Sequence, residues 1–81
     1  MEIEQLLKQL PDSVRHNGVQ YFLSFFRASG TWYVEYKSTA NRARYEPTLV
    51  YVEHRDFATA LKELAQKLRE RGLLEQPTIF A

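Results

Sequence analysis

The sequence predicts an α+β fold of order α-β-β-β-α: a three-stranded antiparallel meander covered on one face by a short N-terminal and a long C-terminal helix. Three observations predict it. Apolar residues recur at helical spacing near both ends of the chain, and they alternate with polar ones in the middle. Nine of the eleven aromatic residues lie between Tyr21 and Tyr51, on the strand-like stretches, and only Phe57 and Phe80 fall outside.

The first helix spans residues 2–10. Ile3, Leu6, Leu7 and Leu10 form its apolar stripe, Glu2 and Glu4 suit its positive N-terminal dipole, and Pro11 stops it. A helix this short needs the sheet to hold it. Residues 11–18 read as turn material, with Val14 as an anchor and Asn17-Gly18 able to adopt left-handed angles.

The first strand is 19–27. Val19, Tyr21, Leu23 and Phe25 point one way; Gln20, Phe22, Ser24 and Phe26 point the other. Ala28-Ser29-Gly30 reads as a three-residue hairpin loop. The second strand, 31–37, puts Trp32, Val34 and Tyr36 on one face and Tyr33, Glu35 and Lys37 on the other. Residues 38–44 form a polar loop.

The third strand is 45–53, firmly paired from 48 because Pro47 cannot donate to a ladder. Alternation separates Leu49 and Tyr51 from Val50 and Val52 without saying which pair faces inward. The long helix covers 56–71. Asp56 is its N-cap, Phe57, Leu61, Leu64 and Leu68 its stripe, and Gly72 its left-handed stop. Residues 1–74 thus make one domain and 75–81 a C-terminal tail, in which Ile79 and Phe80 are too apolar for a plain spacer.

Composition narrows the role. The chain has 81 residues, no cysteine and a net charge of +1. No disulfide, Cys-based zinc site or iron–sulfur cluster is available, and a near-neutral balance argues against bulk electrostatic binding of nucleic acid. No apolar run is long enough to span a membrane, and the acidic N-terminus is unlike a signal peptide. The expected location is the cytoplasm. Nothing in the chain calls for a cofactor.

No catalytic motif is present. The glycines are isolated, so no phosphate-binding loop exists. His54-Arg55-Asp56 resembles a fragment of the kinase catalytic loop, but it reads better as a strand end, a link and a helix cap. The element order is similar to that of double-stranded RNA-binding domains. Such domains open their last helix with lysines, whereas this one opens Asp56-Phe57-Ala58-Thr59-Ala60, with Lys62 its first lysine. Duplex binding is therefore not expected.

What remains is surplus aromatic surface. If the long helix covers the face of Tyr21, Leu23, Phe25, Trp32, Val34 and Tyr36, the other face offers Phe22, Phe26 and Tyr33. Arg27, Lys37, Arg42 and Arg44 lie near it in sequence. The expected role is a non-enzymatic protein-interaction module acting on another protein or on itself as a homodimer. The alternative is a single-stranded nucleic-acid binder, with arginines on phosphates and rings stacked on bases.

Overall fold

The computed structural model describes residues 2–38 and 48–74. The elements are α1 (Glu2–Gln9), β1 (Ser13–His16), β2 (Val19–Ala28), β3 (Thr31–Lys37), β4 (Thr48–His54) and α2 (Phe57–Glu70). The sheet is antiparallel and four-stranded, in the order β1-β2-β3-β4. This corrects the three-stranded meander expected from sequence, and the topological likeness to double-stranded RNA-binding domains lapses with it.

The extra strand comes from the stretch read as a turn. Asn17 and Gly18 have φ of 52° and 79°, and His16 pairs with Val19 across them. Two successive residues at positive φ make the tight hairpin turn whose twist suits antiparallel strands. The turn folds Ser13–His16 back along β2, and the Gln20 amide donates to the Ser13 hydroxyl at 2.8 Å.

The next turn follows the same logic. Ala28 pairs with Thr31, so the loop is Ser29-Gly30 alone, with φ of 53° and 75°. The expected loop is thus one residue shorter. Each turn places glycine at its second position, where a left-handed angle carries no Cβ penalty.

α2 begins and ends as its sequence dictates. The Asp56 carboxylate accepts from the Thr59 amide at 2.9 Å and the Thr59 hydroxyl at 2.7 Å. At the other end Gly72 has φ of 74°. Its amide donates to the Arg69 carbonyl at 3.0 Å, and the Leu73 amide donates to the Leu68 carbonyl at 2.9 Å. These are the paired bonds of a Schellman stop.

The stripe of α2 lies on β3 and β4. Leu61, Leu64, Leu68, Val34 and Tyr36 are fully buried, with Val50 and Val52 close behind. Val50 and Val52 therefore face the helix, which settles the phase of β4. A register shift opposite Tyr36 and Lys37 adds one residue to β4, pairing Tyr36 with Val50 and Lys37 with Thr48. The bulge lets neighbouring Leu49 and Val50 both be buried.

α1 packs chiefly against α2 rather than on the sheet. Glu2 reaches Lys62 at 2.8 Å, but both side chains are well solvated and water screens the pair. No residue of α1 is buried; Leu10, just beyond it, is.

A second tie closes this corner. The Tyr36 hydroxyl donates to the Pro11 carbonyl at 2.6 Å. The bond links the C-terminal end of β3 to the segment joining α1 and β1. Leu10, Val14 and Tyr21 are buried on the same side.

Two measurements test this packing. Leu64→Ala opens a cavity beneath α2 and should cost about 2–5 kcal/mol, enough to unfold so small a domain or bring it to the verge. Gln66→Ala, on the exposed side, should stay within about 0.5 kcal/mol. Equal urea midpoints for the two variants would show that the helix phase is wrong.

Tyr36 gives a pH test. Burial, and then the Asp12 carboxylate, push its hydroxyl well above the ordinary tyrosine range. The native state therefore keeps this proton to higher pH than the unfolded chain does. The resulting stability is complete below the unfolded-chain value of about 10 and drains away as pH rises above it. Tyr36→Phe should start about 1 kcal/mol less stable, having lost a hydrogen bond. It should then lose less than wild type between about pH 9 and pH 11, where unfolded tyrosine begins to titrate. Identical losses in urea titrations at the two pH values would count against a buried Tyr36 proton.

Candidate functional site: an aromatic ladder on the open sheet face

Strand alternation and register together sort the side chains of the face turned away from α2. Phe22 and Phe26 come from β2, Tyr33, Glu35 and Lys37 from β3, and Tyr51 and Glu53 from β4. Phe26 stacks on Tyr33 with ring centroids 4.9 Å apart and planes 17° apart. Tyr33 is followed by Tyr51 at 6.5 Å and 28°. The three rings make a ladder running across three strands. Phe22 stands further along β2, directly across from Lys37.

These rings are in water. Phe22, Phe26 and Tyr51 are 42%, 52% and 44% exposed. Tyr33, between two neighbours, is half-buried. The ladder is edged by charge. Lys37 lies 3.7 Å from the Glu35 carboxylate. The Tyr51 hydroxyl donates to the Glu53 carboxylate at 2.6 Å. That bond, then desolvation, then the nearby negative charge push the Tyr51 hydroxyl up to about 12.

Phe22, Phe26, Tyr33 and Lys37 thus share one face. Arg27 does not join them. It follows Phe26 by one residue and so points to the opposite side, where its guanidinium lies 6.0 Å from the centroid of the Trp32 ring. Arg42, Arg44 and the tail 75–81 lie outside the described residues, as does Pro47.

Tyr51 belongs to the ladder and was not singled out from sequence. The missing information was the phase of β4, which alternation alone left open.

A second aromatic group lies on the helix side. Phe57, in the first turn of α2, stacks on Trp32 at 4.2 Å and meets Phe25 at 5.3 Å. Phe25 remains 42% exposed even so, because α2 covers β3 and β4 and leaves the far end of β2 uncovered.

His54 and Asp56 flank the start of α2. The Asp56 carboxylate is committed to Thr59, whose hydrogen bonds hold it below the usual carboxylate range. His54 Nδ1 accepts from the Asp56 amide at 2.9 Å. The imidazole is therefore bound to the backbone of the cap, and the Asp56 carboxylate does not orient it as a base.

A groove of about 250 Å³ runs between β4 and the last turns of α2, lined by Leu49, Val50, Tyr51, Lys67, Glu70 and Arg71. Among the described residues no group of three or more acidic or histidine side chains could hold a metal ion. No helix among them is long and apolar enough to cross a membrane. No protein-family model, curated protein or solved structure matches the chain.

Proposed function

We propose that this protein is a non-enzymatic protein-interaction module, an adaptor, inhibitor or small regulator that binds through the open face of its sheet. One observation carries the reading: two exposed rings, Phe26 and Tyr51, flank half-buried Tyr33 on a face that α2 does not cover, and exposed Phe22 stands further along β2. Covering such rings returns about 25 cal/mol for each Å² taken from water. Rings already stacked on one another have little side-chain freedom left to lose on binding. Aromatic residues are the usual anchors of a protein interface.

The rings could also stack on the bases of a single strand. Glu35 and Glu53 argue against that use, because they stand among the rings where phosphates would have to pass. Arg27, on the other side of the sheet, cannot offset them from there.

Phe26→Asp tests the reading. The side chain is exposed, so the fold should change little, and the urea midpoint reports on this. Affinity capture from native extract, with and without nuclease, is then compared for wild type and variant. The expected result is a nuclease-resistant protein partner that wild type captures, that Phe26→Asp loses, and that rebinds when purified. Equal capture by the two proteins would rule out this face as the interface. Capture abolished by nuclease, with binding to single strands that weakens steeply as salt rises, would reverse the ranking in favour of nucleic acid.

A further inference from the structure

We propose that β4 binds an extended acidic segment of another protein, which adds to the sheet as a further strand and lies in the groove between β4 and α2. This surface is distinct from the ring ladder, and each can hold without the other. Three features meet there: an open strand edge, a groove beside it, and two cations without partners on the groove's helix side.

Backbone groups alternate in direction along an antiparallel strand. Ala28 and Thr31 close their two-residue turn as a hydrogen-bonded pair, so the backbone groups of Tyr33 and Glu35 face β2. Those of Trp32, Val34 and Tyr36 face β4, where they meet His54, Val52 and Val50. The N–H and C=O groups of Tyr51 and Glu53 therefore point away from the sheet. Among the described residues no strand lies beyond β4, and none bonds to the backbone of Tyr51 or Glu53. These groups repeat every second residue, and another extended backbone matches that repeat.

Open edges are ordinarily blunted by lysine, proline or brevity. β1, at the other edge, is four residues long. β4 has seven, with neither lysine nor proline among them, and beyond its bulge residues 50–54 pair regularly.

The groove decides what the added strand carries. Leu49, Val50 and Tyr51 line its strand side, and Lys67, Glu70 and Arg71 its helix side. Lys67 and Arg71 stand four residues apart, on one side of α2. Neither has an ion-pair partner among the described residues, whereas the Glu70 carboxylate accepts from the Gln66 amide at 3.3 Å. Two cations beside one engaged carboxylate favour an anionic group. A chain-terminal carboxylate is ordinarily caught by a nest of backbone amides, and this end of α2 presents carbonyls instead. The match is an aspartate or glutamate side chain within the segment. Its neighbours in sequence turn to the open face, where Tyr51 is 44% exposed, and apolar residues fit there.

A displayed library of random peptides about ten residues long, selected on the full wild-type chain, supplies the probe. The expected binders carry an aspartate or glutamate flanked by apolar residues. A selected peptide should shift the amide resonances of Tyr51 and Glu53 more than those of β2. Lys67→Glu combined with Arg71→Glu should weaken it about tenfold or more, and reselection on that variant should turn the preference to lysine and arginine. Both side chains are exposed, and the urea midpoint reports whether the fold holds. N-methylation of the peptide needs no variant. Methyl groups on every second amide should abolish binding in one phase and spare it in the other, because only one set of amides faces β4. Phe26→Asp should bind the peptide within about threefold of wild type, being on a different strand edge.

A library that yields no binder overturns the proposal, as do binders without an acidic preference or with one that the double reversal leaves unchanged. Equal loss on N-methylation in both phases does the same. Binders that map to Phe22, Phe26 and Tyr33 overturn it and leave the open-face reading standing. Slow amide exchange at Tyr51 and Glu53 in the chain alone would show the edge already filled. The filler is the chain itself if the protection is independent of concentration and a second copy if it rises with concentration, and either result overturns the proposal.

Discussion

One helix can cover about two strands. An α-helix with its side chains is about 10–12 Å across, and strands lie about 4.8 Å apart. The described residues hold one helix of useful length and a sheet of four strands. The rest of the architecture follows from that mismatch. α2 takes β3 and β4, where Val34, Tyr36, Val50 and Val52 meet Leu61, Leu64 and Leu68. The other half of the same face is closed piecemeal, by Leu10, Val14 and Tyr21 and by the Tyr36–Pro11 bond. The far end of β2 is left over, and Phe57 reaches out to shelter Trp32 and part of Phe25.

The opposite face receives neither helix. A sheet face left in water is ordinarily built from short polar side chains, yet this one carries Phe22, Phe26, Tyr33 and Tyr51. Cross-strand stacking lets the rings shelter one another, and the Tyr51 hydroxyl is satisfied by Glu53. Self-shelter is incomplete, as the exposure of Phe22 and Phe26 shows. The charges on this face lie among the rings. Outside it, His54 and Asp56 are engaged in starting α2.

Much of this could be read from residue order, and the gaps have physical causes. β2, β3 and α2 are long and strongly periodic, so their faces were legible before any coordinates. β1 was missed because Ser13–His16 holds a single buried apolar residue, Val14, and four residues show almost no alternation. Its signal was the Asn17-Gly18 pair, a hairpin turn as much as a loop marker. The phase of β4 was hidden by the run Leu49 to Val52 and by a bulge, which depends on pairing and leaves no trace in a single strand. The separation of Arg27 from Phe26 was legible all along, since adjacent strand residues point to opposite faces.

The meander has a kinetic side. Each strand pairs with its sequence neighbour, and two of the three connections are two-residue turns. Little chain entropy is lost in bringing such strands together. The exception is α1, which must wait for α2, separated from it in sequence by the whole sheet, before it has a surface to rest on. It is also the element with no fully buried residue. The sheet and α2 can therefore form a unit that α1 joins and leaves with little disturbance, and amide exchange in α1 should proceed by local opening while the core stays closed.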